Sequence, residues 1–175
     1  MRGDWMQTYT GKAFYPLDPD LEMIDIVDIA HALSMQCRYA GHCTRFYSVA
    51  EHSVHVSMLC PDHHALWGLL HDASEAYLAD VIKPIKPYLT GYAVIEARIM
   101  ECICHRFGLS LEMPEVVKQI DRDILGNERD QIMNAPPRPW YATGDPIAGL
   151  TLQCWQPQLA KEIFLTHFYA LIGEQ

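Results

Sequence analysis

Prolines and glycines divide this chain into stretches in which apolar residues return every three or four positions, a pattern that leaves room for little besides helices packed on helices. Asp18-Pro19 opens a first helix over Leu21–Leu33, with Leu21, Ile24, Val27 or Asp28, and Ala32 along one line. Ser48-Val49-Ala50-Glu51 has the spacing of a capping box, in which the Ser oxygen takes one free amide and the Glu reaches back to another. A second helix therefore runs from there to Cys60. Pro61 restarts the chain, and a third helix continues through His71-Asp72-Ala73-Ser74-Glu75-Ala76-Tyr77. Lys83-Pro84-Ile85-Lys86-Pro87 must be extended, because each proline disfavours helix at its own position and the one before. It forms a loop carrying two cations. A fourth helix covers Tyr92–Phe107 and stops at Gly108, a fifth runs from Pro114 to Met133, and a last spans Gln158–Ile172. Residues 1–20 read as an extended segment and 135–157 as an irregular one packed on the rest, with Gly144-Asp145-Pro146 as a turn. No alternating strand pattern competes, so the expectation is an all-α fold, with residues 1–175 as a single domain.

Composition narrows the function. The net charge is −9 and no run of Lys or Arg relieves it, which argues against a nucleic-acid polymer or an anionic membrane as partner. A small anionic ligand is still allowed, since a local cluster or a metal ion can reverse the sign of one pocket. No apolar run approaches the ~20 residues that span a bilayer. The six Cys show no framework spacing, and Cys102 and Cys104 have no second pair downstream to complete a zinc site. A reducing, cytoplasmic setting is expected.

Nine His in an acidic chain are the residues to follow. With about 100° between successive side chains, each polar residue can be placed against its helix's apolar face. On the second helix His52 lies about 40° from the centre of that face and His55 about 100° away. His52 points inward, either as a core imidazole satisfied by a carbonyl or as a ligand. On the third helix His71, Asp72 and Glu75 form one polar stripe, with Gly68 one turn earlier leaving room for a close approach. That stripe faces either water or a polar cleft. On the fifth helix Asp121 is the inward carboxylate, Asp123 the solvated one, and Glu128 is inward too, paired with Arg129 or another Arg. His42 is a candidate phosphate contact and Arg45 a phosphate contact or surface ion pair, while His31, His63, His64, His105 and His167 default to surface or packing roles. Trp67, Trp155 and Phe164 are read as core.

An inward His, an adjacent His-Asp pair and a later inward Asp make the N,N,O,O set that a divalent ion takes. The order His52, His71-Asp72, Asp121 resembles the H…HD…D signature of HD-domain metal-dependent phosphohydrolases. Around it, Arg38-Tyr39, Glu51-His52-Ser53, His71-Asp72-Ala73-Ser74-Glu75, Asp80 and Pro84-Ile85-Lys86 resemble the bacterial 5′-deoxynucleotidase branch. Thr10-Gly11-Lys12, Phe14, His31-Ala32-Leu33-Ser34 and Ala40-Gly41-His42 extend the likeness to a subgroup and to nearly the whole chain.

The resemblance implies a single HD-type helical domain in which His52, His71, Asp72 and Asp121 hold one divalent ion (Mn, Co, Fe or Zn) in a helical cup. That ion would polarise the phosphate and activate a water. It further implies Glu75 as general acid or base, Arg38 and Lys86 as phosphate-binding cations, and Asp80 as a contact to the sugar. Tyr39 stands where the family typically has Trp as a wall of the sugar pocket, which loosens the expected preference for deoxyribose. The implied activity is release of phosphate from (deoxy)nucleoside 5′-monophosphates, with a homodimer as a common family assembly. Its rivals are hydrolysis of dNTP, guanosine alarmones or cyclic dinucleotides, a non-catalytic nucleotide-binding module, and a helical domain with scattered buried His.

Overall fold

Where each helix begins is decided by the polar side chain or the proline ahead of it. The computed structural model describes residues 2–141 and 143–173. Met1, Glu174 and Gln175, at the ends of the expected domain, and Ala142 within 135–157 lie outside the described residues. Seven helices follow one another: α1 (Ile26–Met35), α2 (Val49–Leu59), α3 (Asp62–Leu70), α4 (Glu75–Leu78), α5 (Tyr92–Phe107), α6 (Glu115–Ile132) and α7 (Pro157–Ile172). A two-stranded hairpin, β1 (Met6–Gln7) with β2 (Ala13–Phe14), precedes them. The fold is therefore mainly helical, as its punctuation predicts. No helix among the described residues is long and apolar enough to cross a membrane.

Several expectations need correction. The segment Lys83–Pro87 is not extended: Ile85 is helical (φ −101, ψ −21) and Lys86–Tyr88 form a 3-10 turn, because proline disfavours but does not forbid such backbone at the residue before it. The first helix does not run from Leu21. Asp20 caps only a 3-10 turn at Leu21–Met23, Ile24 is extended, and Asp25 supplies the α1 cap by accepting Val27 N at 2.9 Å. The capping box before α2 is half made: Ser48 Oγ accepts Glu51 N at 3.0 Å, but the Glu51 carboxylate turns away to the 153–155 segment. The third helix is broken. After Leu70 the chain tightens into three-residue turns, with Ala73 N donating to Leu70 O and Glu75 N to Asp72 O, both at 3.0 Å. Positions i and i+3 eclipse in such a turn, so Glu75 stands over Asp72 rather than over His71. The extended reading of residues 1–20 holds only loosely, because their ladder folds back as the hairpin.

Helix α2 is the central post. Every residue from Val49 to Ser57 is buried, with α1, α3, α6 and α7 packed around it. The main core joins Phe14, Leu33, Leu70, Ile103 and Phe164, and a second cluster joins Val56, Trp67, Val117 and Ile124. Gly68 lets α3 approach α2: a Cβ there would stand 2.9 Å from Ser57 Cα. The room read beside the polar stripe is thus filled by α2 itself. The N-terminal hairpin is fastened to α1 through Asp28, which accepts Thr10 N at 2.6 Å and Thr10 Oγ1 at 2.9 Å.

Residues 144–155 are fastened to α2 and α6 through their backbone groups. Glu51 accepts the amides of Gln153, Cys154 and Trp155 at 2.8, 2.8 and 2.6 Å. Asn127 on α6 donates to Ile147 O and accepts Ile147 N. Gly144 sits against Asp123, where an added Cβ would fall 1.9 Å from Oδ1, so Asp123 is half-buried rather than free in solvent. His55 also departs from its place on the wheel: Trp155 stacks on it at 5.5 Å and it is buried.

Candidate metal centre

His52 from α2 and His71 from the end of α3 meet with their Nε2 atoms 3.2 Å apart. Their other ring nitrogens fix which tautomer each adopts. His71 Nδ1 lies 2.7 Å from the Gly68 carbonyl, which can only accept, so Nδ1 carries the hydrogen. His52 Nδ1 lies 2.7 Å from Glu128 Oε1, and Glu128 is ionised, so the same holds there. Both Nε2 lone pairs consequently face one another. Asp72 Oδ2 joins them at 3.2 Å from His71 Nε2 and 3.8 Å from His52 Nε2, and Asp121 Oδ1 at 3.1 Å from His52 Nε2 and 3.8 Å from His71 Nε2.

Four acceptors converging without a donor require a cation. A proton is one solution: burial disfavours charge on His71, yet Asp72 and Asp121 outweigh it and raise the imidazole to about 9. Burial likewise opposes ionisation of Asp72, and the adjoining His71 still holds it well below the usual carboxylate range. Asp121 is depressed in the same sense by His52 and His71 against its burial. A divalent metal ion is the other solution, and the donor set fits one. His52, His71 and Asp72 offer ligand atoms all within 4.8 Å of one another, a group that can hold a metal ion. Asp121 is not part of that tightest group, though its carboxylate flanks both imidazoles.

Glu128, two turns beyond Asp121 on α6, ties the centre to its surroundings. Fully buried, it accepts from His52 Nδ1, from Arg38 Nε and Nη2 at 3.3 and 3.2 Å, and from the Tyr39 hydroxyl. Burial would raise its pKa, but Arg38 and His52 bring it down to about 2. The Arg left open as its partner is Arg38; Arg129 pairs with Asp130 instead. Arg38 also stands 3.6 Å from Asp72 Oδ2, so its guanidinium bridges α6 to the candidate ligand group. Tyr39 and Ala40 follow in left-handed backbone, φ 57 and 52.

A cavity of about 570 Å³ opens over this centre. Asp72 and Asp121 lie on its lining, with Arg38, Tyr39, His42, Glu75, Asp80 and Lys86 around them, so eight of the ten residues picked from the sequence share one space. His52 and His71 lie beneath, buried. Arg45 is exposed and not part of the lining. Burial first, and then Asp72, push the Glu75 carboxyl up to about 9. Its Oε2 has no hydrogen-bond partner among the described residues, and Lys86 Nζ stands 3.7 Å from Oε1. Lys86 is held on its other side by Glu96 of α5 at 3.1 Å. Before Asp80 the chain passes through Ala79 at φ 69, ψ 157, a region glycine enters freely and alanine only at about 1–3 kcal/mol.

The charges on the lining are informative. With Glu75 protonated, Asp72, Asp80 and Asp121 balance Arg38, Lys83 and Lys86. A divalent ion would then leave two positive charges, the complement of a phosphate monoester dianion. The lining also carries apolar and aromatic side chains: Leu125, Met133, Val81 and Ile82, with Trp140 5.6 Å from Tyr39, centroid to centroid. Trp140 lies in the stretch without periodicity and the wheel gave no hint of it; the one available signal was an aromatic directly after Pro139. Glu96 on α5 escaped notice because nothing in its own helix points to Lys86.

No family model matches the chain. It is 42% identical over 125 residues to the uncharacterized protein YfdR of Escherichia coli, across 71% of this chain and 70% of that protein. It is 36% identical over 129 residues to an uncharacterized protein of Rhodobacter capsulatus, across 68% of this chain and 66% of that one. Identity of this extent over two thirds of both chains places the protein in the same family as YfdR.

Proposed function

We propose that this chain is an HD-type, metal-dependent phosphomonoesterase that releases orthophosphate from (deoxy)nucleoside 5′-monophosphates. The observation that carries the reading is the convergence of His52, His71, Asp72 and Asp121 as acceptors at the floor of a cavity lined by Arg38, Lys83 and Lys86. When bound, a divalent ion (Mn, Co, Fe or Zn) would supply Lewis acidity toward the phosphoryl oxygen and toward the attacking water. Arg38 and Lys86 bind the phosphate. Arg38 arrives pre-oriented by Glu128, which spares the reaction an ordering cost.

Glu75 is the proton donor. Its burial favours the protonated form, and it gives its proton to the 5′ oxygen as the bond from that oxygen to phosphorus breaks and the bond from water oxygen to phosphorus forms. The nucleoside leaves as an alcohol and the carboxylate recovers a proton from the water consumed. Asp80 meets the sugar, and His42, exposed at the rim, meets phosphate or solvent. Tyr39 spends its hydroxyl on Glu128, so its ring is what it offers the sugar wall.

Phosphate release across ribo- and deoxynucleoside mono-, di- and triphosphates, with each of several divalent ions, tests this. Orthophosphate from monophosphates alone is expected. Tripolyphosphate from dNTP would turn the reading toward a triphosphohydrolase, and no turnover on any nucleotide would leave a binding module.

A further inference from the structure

We infer that Gln36 is a positioning residue, whose side chain clamps the turn between Glu75 and Asp80 and thereby sets where Asp80 meets the sugar. The inference rests on the nucleotide reading above. Gln36 ends α1, a helix that contributes no residue to the metal centre or to the cavity lining. Its side chain nonetheless spans the gap to α4 with both ends of the amide. Nε2 donates to Glu75 O at 3.0 Å, and Oε1 accepts Asp80 N at 2.9 Å. The same Glu75 carbonyl accepts Ala79 N at 2.8 Å.

Between those two anchors sits Ala79, exposed, at φ 69 and ψ 157. A side chain resists that conformation, and such residues persist only where their neighbours over-determine the backbone. Here the neighbour that bonds both sides of the turn is one primary amide, because only a group with a donor and an acceptor can bond a carbonyl on one side and an N–H on the other; the Tyr92 hydroxyl adds a longer contact, 3.5 Å, to the Ala79 carbonyl. Gln36 is itself anchored, its own carbonyl accepting Val49 N at 3.1 Å at the start of α2. The clamp therefore refers the Asp80 turn to the helix that carries His52. Release of the clamp lets Ala79 relax toward negative φ and swings Asp80 relative to Glu75.

The test compares two phosphate esters on the full-length, metal-loaded chain: 2′-deoxyadenosine 5′-monophosphate, which has a sugar for Asp80 to meet, and p-nitrophenyl phosphate, which has none. Gln36→Leu is expected to raise KM for the nucleotide about tenfold while kcat/KM for p-nitrophenyl phosphate stays within about twofold. Ala79→Gly added to Gln36→Leu is expected to recover much of the loss, since glycine takes the positive φ of the turn without steric strain. Equal losses on both esters, or no recovery with glycine, would overturn the inference and reduce Gln36 to a general packing role. If the wild type releases phosphate from neither ester, the nucleotide reading fails, and exchange of the Asp80 amide decides the clamp. Exchange about tenfold faster in Gln36→Leu supports it, and unchanged exchange overturns it.

Discussion

The floor and the rim of the cavity are built on opposite terms. The floor takes its residues from α2, the end of α3 and α6, and most of them have a second partner that fixes orientation: Gly68 O for His71, Glu128 for His52, Arg38 for Asp72. The rim takes its residues from Asp80, from the loop at 81–86 and from Trp140, Tyr141 and Thr143, where Lys86 leans on Glu96 and Glu75 and Trp140 leans on Tyr39. Helix-mounted groups with two anchors hold their geometry to a few tenths of an ångström. Loop-mounted groups have more freedom to adapt, even where they have two partners as Lys86 does. Under the proposed function, the difference would put the chemistry in the floor and the choice of substrate in the rim.

Removing a floor ligand should have the largest effect. His71→Ala and Asp121→Ala are expected to reduce phosphate release to background and to lower bound metal, read by elemental analysis beside the assay; full activity in either variant would break the division. Glu75 stands at the junction of floor and rim. Glu75→Gln is expected to keep its metal and to lose turnover by about 10²–10⁴. The same variant makes a pH prediction for the metal-free chain. Glu75 is raised from an ordinary 4.5 to about 9, so the folded state holds a proton that the unfolded state releases. Its contribution to stability is whole below pH 4.5 and is lost as pH climbs toward 9. Glu75→Gln, permanently neutral, should therefore melt higher than the wild type at pH 8 and equally at pH 4. Equal melting at both would show that the carboxyl ionises freely.

Glu128→Gln probes the outer layer of the floor. It keeps the shape but removes the charge shared by Arg38 and His52, and metal affinity should fall by about 10–100-fold. The smallest effect is expected at the rim, where Trp140→Ala should raise KM about fivefold with kcat nearly unchanged, by the modest worth of aromatic stacking on a base. A larger loss in kcat than in KM there would erase the distinction between floor and rim.

Much of the floor can be read from the sequence because it lies on helices. A rotation of about 100° per residue turns His52 toward the core and puts Asp121 on the inner side of α6, and neither inference needs a distant residue. The first turn of α1 and the break after Leu70 are harder. Both depend on a competition between neighbouring caps or turns, Asp20 against Asp25 and three-residue against four-residue bonding, that pattern alone leaves nearly even. Glu128 could be placed inward but not assigned its partners, since Arg38 and Tyr39 lie about ninety positions away. Trp140 and Gln36 were silent for a related reason. One sits in a stretch with no period, and the other acts through backbone atoms of residues that look ordinary in isolation.

Glu51 fastens the 153–155 segment by gripping N–H groups, and Cys154, at φ 58, bends the backbone so that three successive amides point at one carboxylate. An attachment of that kind does not read side chains. At positions 153–155 the joint asks only for amide hydrogens, so proline is the residue it should refuse, while the stacking of Trp155 on His55 and the positive φ of Cys154 set separate limits. The whole burden of the joint falls instead on a single glutamate, where even a change to glutamine would put an amide donor among donors.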